Sequence, residues 1–202
     1  MRNVLLTGVG GQGTVLAAKV LAQAAQAKGW QVRTAETIGM AQRGGSVVSH
    51  VRMGDNGEEV IAPLVAKGTA DMIIAFEPAE AARVLPYLAP DGVMVSASTS
   101  IQPITAALSS EPYLAKATVT SLEKRLNVRA GEPARFVLVD DEAVLSQVGN
   151  RKALNTVLLA FVLKTGHLPL SLDDLRDAIR ACVKPRFVEL NLAAIDLVES
   201  KE

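Results

Sequence analysis

Two glycine-dense stretches hold the residue types that could do chemistry. The first is "GVGGQG", in which Gly8, Gly10 and Gly13 fit G-x-G-x-x-G. Placed between a strand and a helix, such glycines turn the backbone tightly and let a partner approach it closely. The helix start adds free N–H groups and partial positive charge, which suits a phosphate. Glu36 follows 23 residues after Gly13, at the end of a second predicted strand. A dinucleotide site would place its ribose-binding acid there. The same glycines could instead serve only close helix–strand packing. Gly8, Gly10, Gly11, Gln12 and Gly13 are therefore candidates for contact with a phosphate or coenzyme A.

The second stretch is "ETIGMAQRGGSVVSHVR". Met40, Gln42, Arg43 and Ser46 surround the adjacent pair Gly44 and Gly45. Two neighbouring glycines can turn backbone amides toward an anion or admit another chain. Arg43 could hold a carboxylate or phosphate in a two-pronged contact. These six residues are candidates for an interface. His50 alternates with valines along a predicted strand and reads as a hydrogen-bonded sheet residue.

Other chemistry is excluded by subtraction. One cysteine, Cys182, cannot form a disulfide within the chain or hold an iron–sulfur cluster. The two histidines, His50 and His167, stand far apart, so no His-based metal site is expected. No Cys, Tyr–Lys or His–Asp pattern downstream points to hydride transfer. Lys+Arg and Asp+Glu balance at 21 each, and no basic run exists, so neither nucleic acid nor an anionic membrane is an expected partner. The apolar stretches are shorter than a membrane span, and the chain does not begin like a signal peptide. A soluble, cytoplasmic protein is expected.

The elements that must position these residues follow an α/β rhythm. Val4–Thr7 reads as a buried strand, Gln12–Lys28 as a helix with Gly29 at its end, and Gln31–Thr34 as a second strand. Together they predict a βαβ unit with a parallel pair. Ser46–Met53 and Glu58–Ile61 flank "GDNG" and predict a hairpin, and hence a mixed sheet. Met72–Phe76, Pro78–Leu88 and Val93–Ser96 restore strand, helix, strand. Thr105–Leu126 predicts short helices or loops, and Phe136–Asp140 a last strand. Ala143–Gln147, Lys152–Lys164, Leu172–Val183 and Pro185–Glu199 all have helical period. Residues are 49 % apolar but only 3 % aromatic, so the core must be aliphatic. The 202 residues suffice for one core burying roughly 70 % of the unfolded surface. The expectation is one domain over residues 1–202. It is a Rossmann-like, three-layer α/β/α fold whose mixed sheet contains a hairpin, with a helical C-terminal third.

"GVGGQG", "GMAQRGGSVVSHVR" and "PLVAKGTADMIIAFEPAEAARVLPYL" together resemble the gamma-domain family of 2-oxoacid:ferredoxin oxidoreductases. Within that family the "MAQRGGSVVSHVR" block and "KPRFVELNLAAIDL" (Lys184–Leu197) resemble the beta subunits that act on indolepyruvate. The resemblance spans nearly the whole chain. It implies oxidative decarboxylation of arylpyruvates to aryl-acetyl-CoA, with electrons passed to ferredoxin. It also implies thiamine diphosphate, Mg²⁺, 4Fe-4S clusters and an α2β2 assembly.

This chain lacks the means to carry that chemistry alone. No G-D-G followed by Asn is present to hold a diphosphate-bound Mg²⁺, and one cysteine cannot hold a cluster. Thiamine diphosphate and the clusters are expected on a larger alpha subunit, with coenzyme A as co-substrate and ferredoxin as the acceptor of the complex. No catalytic residue, metal ligand or cofactor is expected here, and the isolated chain is expected to be inactive. Two rivals stand beside this reading: a free-standing NAD(P)- or nucleotide-binding protein, and a purely structural subunit. Gamma subunits serving pyruvate, branched-chain oxoacids or 2-oxoglutarate are also similar.

Overall fold

The structure is a computed structural model and describes residues 1–39, 45–101, 113–127 and 134–201. Among the described residues six strands form one sheet: β1 (Arg2–Val9), β2 (Gln31–Ile38), β3 (Ser46–Gly54), β4 (Ala70–Ala75), β5 (Leu88–Ala97) and β6 (Phe136–Val139). Their order across the sheet is β2-β3-β1-β4-β5-β6. β1, β4, β5 and β6 are parallel, whereas β3 runs antiparallel to both its neighbours, β1 and β2. Among the described residues the helices are α1 (Thr14–Ala27), α2 (Pro78–Val84), α3 (Ala115–Leu126), α4 (Asp141–Val148), α5 (Leu154–Lys164), α6 (Leu172–Cys182) and α7 (Val188–Glu199).

Alternation along β1 divides the core in two. Val4 and Leu6 face a cluster built with α1 and α4–α7, while Leu5 faces a second cluster with α2 and α3. Both faces of β1 are thus covered, which suits its near-continuous apolar run. In α1 the buried stripe is mostly alanine: Ala17, Ala18, Ala22, Ala24 and Ala25. Such small side chains let the helix lie close to the sheet. The core is aliphatic, as expected, with Phe76 its largest fully buried side chain. The mixed sheet, its covering layers and the helical C-terminal third follow the expected fold class.

Local signals set several boundaries. Gly13, at φ 86°, precedes α1, so the helix begins at Thr14 rather than Gln12. Ser171 caps α6, its hydroxyl accepting from the Asp174 N–H and its own N–H donating to the Asp174 carboxylate. The expected helix Pro78–Leu88 stops at Val84 and tightens into a 3₁₀ turn at Leu85–Tyr87. Pro86 accounts for this, because it offers no N–H to an α-helical bond. The unclear stretch ending at Leu126 contains α3.

Two expectations are corrected. β1 and β2 run in the same direction but are not neighbours, because β3 lies between them. The hairpin is β2–β3, and no strand forms at Glu58–Ile61. β3 is already paired on both edges, so the residues after "GDNG" find no free ladder beside it. Val60 tucks into the protein while Ile61 stays 81 % exposed.

Candidate functional site

The C-terminal ends of the four parallel strands lie along one edge of the sheet, and β3 starts at that edge with Ser46. After β1 the chain passes to one face as α1; after β4 it passes to the other as α2. That divergence opens a crevice between β1 and β4, the usual place for a ligand in an open α/β sheet. Here the Gln12 side chain spans it. Its Oε1 accepts from the Val9 N–H at 2.7 Å, and its Nε2 donates to the Phe76 carbonyl at 2.8 Å.

The turn is closely built around Gln12. A Cβ on Gly8 would stand 2.8 Å from both Gln12 Oε1 and Phe76 Cβ, so only glycine fits there. Gly11 and Gly13 hold φ of 101° and 86°, values open to glycine. No side chain caps α1, so its first N–H groups lack intrahelical acceptors. The Thr7 and Thr14 hydroxyls are buried nearby without a hydrogen-bond partner.

The second glycine stretch meets the first. The Gly10 N–H donates to the Gly45 carbonyl at 2.9 Å, and the Gly39 N–H donates to the Ser46 carbonyl at 2.8 Å. The Ser46 hydroxyl donates to Glu80 Oε2 at 2.5 Å, and Glu80 Oε1 pairs with Arg83 at 3.3 Å. Three elements therefore grip the base of the loop between β2 and β3. Beside it, buried Glu77 caps α2, accepting from the Ala79 and Glu80 N–H groups and from the Tyr113 hydroxyl. Burial holds the Glu77 carboxyl above its ordinary range despite these donors. Further along the edge, fully buried Asp141 accepts three hydrogen bonds at Oδ1, from the Ser98 N–H, the Ser98 hydroxyl and the Thr99 N–H. Its Oδ2 has no partner.

The fold thus brings Gly8, Gly10, Gly11, Gln12 and Gly13 together with Gly45 and Ser46. Met40, Gln42, Arg43 and Gly44 lie outside the described residues. Glu36 is not brought to the turn. It sits on edge strand β2, about 10 Å from β1 across β3, whereas a dinucleotide fold makes those two strands neighbours. His50 is a buried sheet residue whose Nδ1 accepts from the Val65 N–H at 3.1 Å. Cys182 is half-buried, and burial pushes its thiol above the ordinary range. Among the described residues no group of three His, Cys, Asp or Glu side chains could hold a metal ion, and no helix is long and apolar enough to cross a membrane.

Sequence reasoning missed Glu77, Glu80 and Asp141. An acidic residue just before Pro78 is a legible cap signal for Glu77. Nothing in the sequence pairs Glu80 with Ser46, 34 positions away.

The family described as pyruvate ferredoxin/flavodoxin oxidoreductase matches residues 3–198. Indolepyruvate oxidoreductase subunit IorB of Pyrococcus horikoshii is 37 % identical over 196 residues, 96 % of this chain and 93 % of that protein. The subunit of the same name from Archaeoglobus fulgidus is 36 % identical over 195 residues, 96 % and 92 % of the two chains. Among solved structures, the gamma subunit of a keto/oxoacid ferredoxin oxidoreductase from Geobacter sulfurreducens shares the fold. Its TM-score is 0.65 at 23 % identity, over 98 % of this chain and 96 % of that one. The 2-oxoglutarate:ferredoxin oxidoreductase of Magnetococcus marinus contains the same fold within a longer chain. This chain is covered completely and that one to 31 %, at a TM-score of 0.67 and 15 % identity.

Proposed function

Because the chain belongs to the pyruvate ferredoxin/flavodoxin oxidoreductase family, we propose that it is the beta-type subunit of an indolepyruvate:ferredoxin oxidoreductase. The observation that carries this reading is the near full-length likeness to archaeal subunits named for indolepyruvate, at 32–37 % identity. The complex would oxidatively decarboxylate arylpyruvates to aryl-acetyl-CoA in the cytoplasm and pass the electrons to ferredoxin.

This chain contributes no catalytic group to that reaction. The residues do not fit thiamine diphosphate, for no G-D-G…N pattern exists, and a single cysteine does not fit a 4Fe-4S cluster. Those groups and Mg²⁺ belong to a larger alpha subunit in an α2β2 assembly, and residues 1–202 act as one gamma-type domain completing it. Gly8–Gly13 and Met40–Ser46 form the face toward that partner. The contacts of Gly10 with Gly45 and of Ser46 with Glu80 support a shared face. Gln12 and Gly8 are used inside the turn, so any phosphate or coenzyme A contact falls to Gly11, Gly13 and the first turn of α1. Arg43 supplies the charged contact of the second loop.

Reconstitution tests the reading. The chain and its alpha subunit are purified apart, and indolepyruvate- and coenzyme A-dependent reduction of ferredoxin is measured. Neither part alone is expected to turn over, and mixing restores activity. Micromolar binding of NAD(P) by the isolated chain would overturn the reading in favour of a nucleotide-binding protein. Arg43→Ala is expected to weaken assembly or raise the KM for coenzyme A. Unchanged assembly, coenzyme A dependence and turnover would remove Arg43 from the interface.

A further inference from the structure

A small cavity opens behind the glycine turn, on the helical side of the sheet. Its walls are Leu16 of α1, Lys152 and Asn155 at the start of α5, and Val183, Phe187 and Leu190 around the start of α7. The cavity volume is about 170 Å³. At about 30 Å³ per water molecule, that is room for roughly six non-hydrogen atoms. It is too small for a nucleotide and large enough for a head group on a short stem.

The polar groups at this cavity are one-sided. Asn155 is 5 % exposed, and its Oδ1 accepts from the Thr156 N–H at 3.0 Å. Its Nδ2 has no acceptor and lies beside Gly13, the residue preceding α1, where a Cβ would be 3.6 Å from it. One donor of this largely buried side chain is therefore left over next to a helix start that no side chain caps. Two cations stand over the Phe187 ring, Arg186 at 4.8 Å and Lys152 at 6.0 Å from its centroid. Among the described residues no carboxylate lines the cavity. The second amide at the site, Asn191, is satisfied internally: its Oδ1 accepts from the Thr156 hydroxyl at 2.5 Å and its Nδ2 donates to the Phe187 carbonyl at 2.7 Å. The first of those bonds ties α7 to α5, and the second closes within the start of α7 itself.

We propose that this cavity binds a small organic anion, a carboxylate or phosphate monoester on a short apolar stem. Asn155 Nδ2, Lys152 and the first turn of α1 hold the charged head, and Leu16, Val183, Phe187 and Leu190 hold the stem. The helix end, the amide and the ammonium all favour negative charge, while the apolar walls reward a stem that leaves water. The site deepens the reading of the α1 start given above. It rests on that helix end being open to an anion and not on the alpha subunit. It also gives a role to the Lys184–Leu197 stretch, which forms one wall.

The test uses the full chain without its partner, in a buffer free of phosphate and carboxylate. It is titrated separately with inorganic phosphate, ethyl phosphate and butyrate, and the Asn155 side-chain amide and the Val15 and Leu16 amides are followed by nitrogen-15 NMR. Saturable shifts at these groups are expected with at least one organic anion. Preference for butyrate assigns a carboxylate head, and preference for ethyl phosphate a phosphate monoester. Asn155→Asp, which puts a negative oxygen where Nδ2 stood, and Lys152→Met, at an exposed position, are each expected to weaken binding about tenfold. Wild-type spectral dispersion and thermal midpoint identify variants that remain folded. Shifts that are absent, that do not saturate or that survive both substitutions overturn the proposal. So does binding of inorganic phosphate as tight as that of either organic anion, because the apolar walls would then hold nothing. Coenzyme A dependence is read in the assembled complex, so loss of that reading and loss of this site are separate results.

Discussion

The Ser46 hydroxyl donates to the Glu80 carboxylate at 2.5 Å, tying the first residue of β3 to α2. Glu80 is 5 % exposed and Arg83 meets only its other oxygen. Ser46→Ala leaves Glu80 Oε2 buried without this donor. The expected cost is about 1–3 kcal/mol in urea denaturation of the isolated chain. Glu80→Gln, which keeps an acceptor for Ser46, is expected to cost less than Ser46→Ala. The reverse order would show that the bond contributes little.

Gly8→Ala puts a methyl group 2.8 Å from Phe76 Cβ as well as from Gln12 Oε1. Gln12 can move, but Phe76 Cβ is fixed by the strand end. A loss of about 1–3 kcal/mol is expected from overpacking. Adding Gln12→Ala to Gly8→Ala is expected to restore little of it. Full rescue by the second substitution would assign the clash to Gln12 alone.

Burial holds the His50 imidazole below its ordinary range. Its Nδ1 accepts from the Val65 N–H, and the Tyr87 ring meets it edge-on at 6.3 Å between centroids. The unfolded chain binds the His50 proton more readily, from about pH 6.5. The stability due to neutral His50 is therefore fully present above about pH 6.5 and lost as pH falls through the lower folded value. His50→Asn places Oδ1 near the position of Nδ1 and does not titrate. Between about pH 7 and 5 the wild type is expected to lose more stability than His50→Asn. Parallel curves for the two proteins would exclude His50 as the source.

Arg176 joins α6 to α7. It pairs with Asp173 at 2.8 Å, with Asp196 at 2.7 Å and with Glu199. The Asp196 hydrogen bond leads the contacts that hold its guanidinium above its ordinary range. The three carboxylates are mostly exposed, so water screens the network. Arg176→Met is expected to cost only about 1 kcal/mol, and the difference should shrink as salt is raised. A loss independent of ionic strength would point instead to the packing of the arginine stem.

The α/β rhythm was legible because it depends on local signals. Val4–Leu6, the glycine turn, the alanine stripe of α1 and the Ser171–Asp174 cap each announce an element within a few residues. The helical C-terminal third was legible for the same reason. The hairpin partner was not. Val60 and Ile61 have strand-forming side chains, yet whether a ladder edge is free depends on β1 and β2 occupying both sides of β3. The candidate site was half legible: glycines declare a need for close approach, but not what approaches. At Gly8 the answer is the Gln12 and Phe76 side chains. Asn155 stood in an apolar run, without any sign that it would lie beside Gly13, 142 positions earlier.

By itself the sequence determined the aliphatic core, the order of most strands and helices, the two glycine stretches and the lack of thiolates for a cluster. These follow from residue type and short-range spacing, which act before the chain closes on itself. Only the tertiary structure decided that β3 inserts between β1 and β2 and carries Glu36 away from the turn. It likewise decided that Gly10 meets Gly45, that Ser46 meets Glu80 and that an unpartnered amide faces the start of α1. Each depends on contacts between residues distant in the chain, where strand pairing and packing select the neighbours and local spacing carries no information about them.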